Sequence, residues 1–202
     1  MESRSERAGE EKESIRARLL CRRDGTPAGL LNAAARRISD RLLADAEFAR
    51  AGSVGAYASV GSEVPTGRII SEILKHGKKL YLPRMTSSTE MEFCRVRDTS
   101  ELVPGSIVGS IMEPGPRAEV AARIDLVLVP AIAASYDGHR LGHGLGCYDR
   151  FLGRHRETTT VALLLEGQMV RGLPVGPRDI PMDLIMTEER TIRPRRRTGR
   201  KG

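Results

Sequence analysis

The sequence predicts an α/β fold with a mostly parallel sheet, and three observations carry that expectation. Segments of helical and of strand period alternate along the chain. Two strand-like runs, Asp125 to Ala133 and Thr158 to Leu165, are nearly all apolar or β-branched, as strands covered on both faces are. The first of these leads into a glycine-rich loop and then a helix-like segment. Ligands of parallel sheets gather at such strand-to-helix turns, beyond the carboxyl ends of the strands.

The elements follow in order. Residues 1–11 read as a charged N-terminal tail, and Lys12 to Cys21 as a helix with Ile15, Leu19 and Leu20 turned inward. Ala28 to Phe48 repeats Leu31, Ile38, Leu42 and Leu43 near helical spacing. Ser53 to Val60 reads as a strand, and Pro65 to His76 as a helix stopped by Gly77. Lys79 to Pro83 and Met91 to Val96 are short strands about a polar turn. Val103 to Arg117 holds Pro104, Gly105, Gly109, Pro114, Gly115 and Pro116 and reads mainly as loop. Leu184 to Arg190 forms a last strand. No repeat or linker divides residues 12–192, which read as one domain.

Composition narrows the function. With three Phe, four Tyr and no Trp, the core of this 202-residue chain must be mostly Ala, Val, Leu and Ile. Cys21, Cys94 and Cys147 have neither paired nor metal-type spacing, which fits reduced thiols in a cytoplasmic protein. No apolar run approaches the ~20 residues of a membrane span, and the charged start is unlike a secretory signal. The net charge of +7 comes almost entirely from residues 193–202, which carry six basic residues and no acid; the rest is close to neutral. We read that segment as a disordered, solvated tail rather than a specific nucleic-acid site.

The chemistry lies in Arg140-Leu141-Gly142-His143-Gly144-Leu145-Gly146-Cys147-Tyr148-Asp149-Arg150-Phe151-Leu152. Glycines at alternate positions let the backbone turn tightly and face its amides toward an anion, and the helix that follows adds its positive end. Arg140 stands at the entrance as a permanent cation, and Asp149 at the exit as a carboxylate. An anion site beside a carboxylate suggests a phosphate with a divalent metal. Cys147 stands where a Walker loop needs lysine and where a dinucleotide fingerprint needs its third glycine. On spacing alone, the alternative is a tight strand-to-helix turn without a ligand.

The motif Arg-Leu-Gly-x-Gly-x-Gly-x-Tyr-Asp-Arg-Phe-Leu, after Val129-Pro130 and Gly138, resembles the signature of the 5-formyltetrahydrofolate cyclo-ligase (5,10-methenyltetrahydrofolate synthetase) family. Lys12-x-x-x-Arg16, Tyr57, Glu63-Val64-x-Thr66, Leu82-Pro83, Glu113-Pro114, Gln168 with Leu173-Pro174, and Asp183 with Thr187-Glu188 match in the same order. The resemblance covers about residues 12–192. It implies a Rossmann-like three-layer α/β/α fold and an ATP- and Mg2+-dependent closure of 5-formyltetrahydrofolate to 5,10-methenyltetrahydrofolate, releasing ADP and phosphate. The formyl oxygen would be phosphorylated, N10 would attack the formyl carbon, and phosphate would leave. The implied partners are ATP, magnesium and a small-molecule folate, with the protein a monomer.

Residue by residue, the resemblance assigns Lys12 and Arg16 to the ATP phosphates, where the alternative is a solvated basic helix face. Arg140 and the backbone from Leu141 through Gly142, His143, Gly144, Leu145, Gly146 and Cys147 to Tyr148 would hold the triphosphate, with Arg140 and Lys12 acting on the transferring phosphoryl group. Asp149, and second Asp183, would ligate magnesium; the alternatives are a helix N-terminal acid and a surface turn. Ala58, Glu63 and Met91 would line the folate site, with Glu63 accepting pterin N–H groups, although Glu63 also reads as a helix N-terminal acid. Four positions depart from the family pattern. Leu145 replaces glycine, Cys147 an aromatic, Ala134 a phenylalanine and Ser135 an aspartate. Leucine tolerates positive φ poorly, so the loop is expected to be less tight. The phosphate elements are better kept than those facing the substrate, which leaves two further readings open. One is a diverged relative acting on another formyl or amide compound, and the other is a nucleotide-binding regulatory protein.

Overall fold

A computed structural model describes residues 4–107, 109 and 111–194. Its centre is a seven-stranded sheet built from β1 (Ser53–Gly55), β2 (Lys79–Met85), β3 (Met91–Val96), β6 (Leu126–Pro130), β9 (Thr159–Leu163), β11 (Leu184–Met186) and β12 (Thr191–Ile192), in the order β12-β11-β9-β6-β1-β2-β3. The five inner strands run parallel, while β3 and β12 close the edges antiparallel. The α/β class and the mostly parallel sheet are therefore as expected.

The pleat sorts the core into two layers. Val54, Leu80, Leu82, Leu126 and Leu128 face α2 (Ala28–Leu43), α3 (Ala46–Arg50) and α4 (Gly67–Lys75). Their neighbours Tyr81, Val127 and Val129 face the opposite side, where Phe151 and Leu152 of α5 (Cys147–Arg154) pack. Helix α1 (Arg4–Asp24) seats Leu19 on Ile132, Ala133 and Leu141, beside a small sheet of β7 (Ala133–Ser135), β8 (Arg140–Leu141) and β10 (Met169–Val170).

Several boundaries differ from the sequence reading, each for a local reason. Helix α1 starts at Arg4, so residues 4–11 are helical rather than a tail. The long helix over 28–48 is two, because the Asp45 carboxylate accepts the Glu47 amide at 2.9 Å and caps a new start. Strand β1 ends at Gly55, where an added Cβ would lie 2.9 Å from the Phe93 ring, and the chain then leaves the sheet. The proline- and glycine-rich segment carries a short hairpin, β4 (Leu102–Pro104) with β5 (Met112–Pro114). The last strand stops at Met186 because the Thr187 hydroxyl accepts the amides of Glu189 and Arg190 in a turn. Residues 195–202, most of the expected basic tail, lie outside the described residues. Arg193, the first residue of that segment, is exposed and pairs through its guanidinium with Asp45 at 2.6 Å.

The strand order also fixes where a ligand belongs. Numbered by their order in the chain, the parallel strands run 2-1-3-4-5 across the sheet, and the order reverses between β1 and β6. A crevice opens outside the carboxyl ends of strands at such a switch point.

Candidate active site

A cavity of about 330 Å³ lies at that switch point, within the range of small-molecule sites. Tyr57 and Ala58 enter it just past β1, Pro130 at the end of β6, and the glycine loop closes one wall. Every candidate named from the sequence lines it except Asp183.

The loop is shaped by two glycines. Gly144 has φ +98° and Gly146, the residue before α5, has φ +68°, whereas no residue other than glycine takes positive φ among those described. Leu145 therefore needs no left-handed backbone, and the expected strain at this position does not arise. Its side chain sits 53% exposed at the cavity rim. Arg16 lies over Gly144, with a guanidinium nitrogen 3.4 Å from where a Cβ would be, and its Nε donates to the Gly142 carbonyl at 2.9 Å. Lys12, four residues earlier on the same face of α1, pairs with Asp179 at 2.6 Å. The two cations thus belong to the cavity and not to a solvated helix face.

Arg140 is the centre of the charged wall. Its side chain is 5% exposed, and Nη2 stands 3.0 Å from the Asp149 carboxylate. That contact is not aligned as a hydrogen bond, and both Nε and Nη2 are buried without an acceptor. Buried donors of a permanent cation rarely stay unpaired, so the cavity fits a polyanion at this point. Asp149 also accepts the Ile180 amide at 3.0 Å. No group of three potential metal-ligating side chains exists among the described residues. A magnesium ion held by one or two carboxylates and by phosphate oxygens needs no such group.

The remaining walls are less polar. Glu63 does not begin a helix, since α4 starts only at Gly67. It is 8% exposed; it accepts the Val60 amide at 3.0 Å and lies 3.7 Å from the His143 ring nitrogen. Burial first, and then the charge of Glu63, raises the pKa of both Tyr57 and Tyr148, so these phenols remain protonated donors. Tyr57 spends its hydroxyl on the Val64 carbonyl at 3.2 Å. Met91, 4% exposed, joins Ala58 on the apolar wall. Cys147 lines the cavity too, its thiol pushed up in pKa by burial.

Asp183 is a structural residue. Its carboxylate accepts both the amide and the hydroxyl of Thr160 at 3.0 Å, at the amino ends of β9 and β11. Sequence reasoning missed Asp179, whose ionisation is opposed by burial but favoured more strongly by the Gly176 amide and Lys12. It gave no role to Glu113, quoted only within the Glu113-Pro114 match, or to Met85 and Met112, all of which line the cavity. Only the tertiary fold brings either group to the site.

Comparison with known proteins agrees with this geometry. The model of the 5-formyltetrahydrofolate cyclo-ligase family matches residues 8–188. A 5-formyltetrahydrofolate cyclo-ligase of Mus musculus is 30% identical over 165 residues, covering 75% of this chain and 81% of that protein. The 5-formyltetrahydrofolate cyclo-ligase of Escherichia coli (strain K12) is 32% identical, covering 67% of this chain and 77% of the other. Among solved structures, the 5,10-methenyltetrahydrofolate synthetase of Aquifex aeolicus superimposes with a TM-score of 0.81 at 30% identity, over 95% of both chains.

Proposed function

The chain belongs to the 5-formyltetrahydrofolate cyclo-ligase family, and from that premise we propose that its cavity holds ATP beside 5-formyltetrahydrofolate and closes the folate to 5,10-methenyltetrahydrofolate. The protein is a ligase of folate one-carbon metabolism. The observation that carries the reading is Arg140: a buried guanidinium with two unsatisfied nitrogens, opening on the same cavity as Glu63, Ala58 and Met91.

The roles follow from position. Lys12, Arg16, Arg140 and the amides of the loop bind and orient the triphosphate, and Arg140 and Lys12 offset the charge that spreads over the transferring phosphoryl group. Asp149 would hold magnesium, which would supply further neutralisation of phosphate charge. Asp179, paired with Lys12 and next to the Ile180 amide that bonds Asp149, is a better second carboxylate than Asp183. Glu63 and the apolar wall hold the folate so that N10 lies against the activated formyl carbon, which makes the ring closure intramolecular. Leu145, out on the rim, leaves the folate end open.

No helix among the described residues is long and apolar enough to cross a membrane, and all three cysteines are free. A monomeric cytoplasmic enzyme without a specific nucleic-acid partner remains part of the proposal. The test is to mix purified protein with 5-formyltetrahydrofolate, ATP and magnesium and follow the near-ultraviolet band of the methenyl product. An ATP-dependent rise, lost in Asp149→Ala, is expected. ATP binding with no rise would overturn the folate assignment in favour of another formyl or amide substrate.

A further inference from the structure

A second cavity, also of about 330 Å³, opens where the carboxyl-terminal end of α1 meets α2, and it shares no lining residue with the active-site cavity. Three of its residues are arginines, Arg22, Arg23 and Arg37, against one carboxylate, Glu188. That carboxylate is already committed, since it accepts the Glu166 amide at 2.9 Å. The cavity is therefore electropositive, and Leu30, Ala34 and Leu165 give it an apolar wall.

Arg23 is 6% exposed, although a guanidinium cannot shed its charge. Its Nε donates to the Ser62 hydroxyl at 2.8 Å. Its one ion pair is a loose one, 3.9 Å from that same nitrogen to the exposed Asp24, which also takes the Ser62 hydroxyl. Nη1 and Nη2 meet no acceptor among the described residues. Donors of a fixed cation, buried to this degree beside a cavity, call for an anion. Arg22 lies against the chain at Gly167, its guanidinium 3.2 Å from where a Cβ would be, so glycine there keeps the place clear. Neither Arg22 nor Arg37 forms an ion pair among the described residues.

We propose that this cavity is a second ligand site, for a small organic dianion whose charged head pairs with the arginines and whose apolar body rests on Leu30, Ala34 and Leu165. A volume of this size with a few placed polar groups on an apolar wall suits such a molecule. The head is a phosphomonoester or a pair of carboxylates, because an arginine fork bonds both in the same bidentate way. The site does not depend on which substrate the active cavity takes, since none of its residues belongs to that cavity.

The experiment is a calorimetric titration of the full chain, its active site saturated with ATP and magnesium, using phenyl phosphate and phthalate as probes. One probe molecule per chain is expected, with no binding of uncharged benzyl alcohol, and the tighter probe identifies the head group. Arg23→Met should abolish binding, but it also breaks the bond to Ser62 and threatens the fold. The decisive variants are therefore Arg22→Gln and Arg37→Glu, whose side chains are exposed. The first should weaken the probe about threefold to tenfold and the second, which reverses a charge, about tenfold or more, with ATP affinity within about twofold of wild type. No binding at millimolar probe, or wild-type probe affinity in both variants, overturns the proposal. So does displacement of the probe by 5-formyltetrahydrofolate, which would make this cavity part of the active one. None of these failures touches the cyclo-ligase assignment, which rests on turnover.

Discussion

Arg140 and Asp149 can be separated into a structural pair and a functional pair. Their side chains are 5% and 16% exposed and 3.0 Å apart, so Arg140→Met strands a nearly buried carboxylate. Removing one member of a buried pair costs about 3–5 kcal/mol. The Ile180 amide still donates to Asp149, which places the expectation at the lower end. For a domain of this size, about 3 kcal/mol lowers Tm by roughly 6–12 °C. Neutralising both members together removes the stranded charge, so Arg140→Met with Asp149→Asn should recover to within about 1 kcal/mol of wild type.

Nucleotide affinity should not recover. On the proposed role, the two unsatisfied nitrogens of Arg140 bond phosphate when ATP is bound, and losing them should weaken ATP binding roughly tenfold to hundredfold in the single variant and at least as much in the double variant, which also lacks the proposed magnesium carboxylate. The assay is thermal unfolding of the free protein beside equilibrium binding of ATP. Two results would refute the reasoning. A double variant as unstable as the single would mean that the pair is not what holds the loop, and wild-type ATP affinity in the double variant would remove Arg140 from the phosphate site.

Two further predictions rest on single interactions. Asp183→Asn loses the charged cap on the Thr160 amide and hydroxyl; stability should fall by about 1–3 kcal/mol with an unaltered magnesium requirement, and a shifted magnesium dependence would restore Asp183 to the metal site. His155 stacks on Phe151 with ring centroids 4.2 Å apart, and burial, aided by the charge of Arg154, lowers its pKa. The unfolded chain then takes up the proton first, so stability is full above the unfolded value near pH ~6.5 and is lost as pH falls from there to the folded pKa. Denaturant titrations across that window should show the slope in wild type and its loss in His155→Phe; an equal slope in both would place the titrating group elsewhere.

What the sequence revealed and what it concealed divide along one physical line. The parallel core was legible because Leu126 to Val129 are buried on both faces, which leaves a continuous apolar run. The phosphate end was legible for a similar reason: its glycines, its arginine and its aspartate lie within ten consecutive residues, and Lys12 and Arg16 share a face by helical spacing alone. Where local chemistry competed with periodicity, boundaries slipped. Asp45 broke a helix whose apolar period continues through it, and Thr187 folded back a strand whose composition did not. Asp183 was misread because its matched motif names a residue type without saying which end of the strand it occupies. The folate end was the least legible. Ala58, Glu63, Met91, Met85 and Glu113 come from four separate segments and meet only because β2 pairs with both β1 and β3 and β5 folds alongside. Glu113 was legible only within the Glu113-Pro114 match, which names the residue without saying that it is buried or that it lines the cavity.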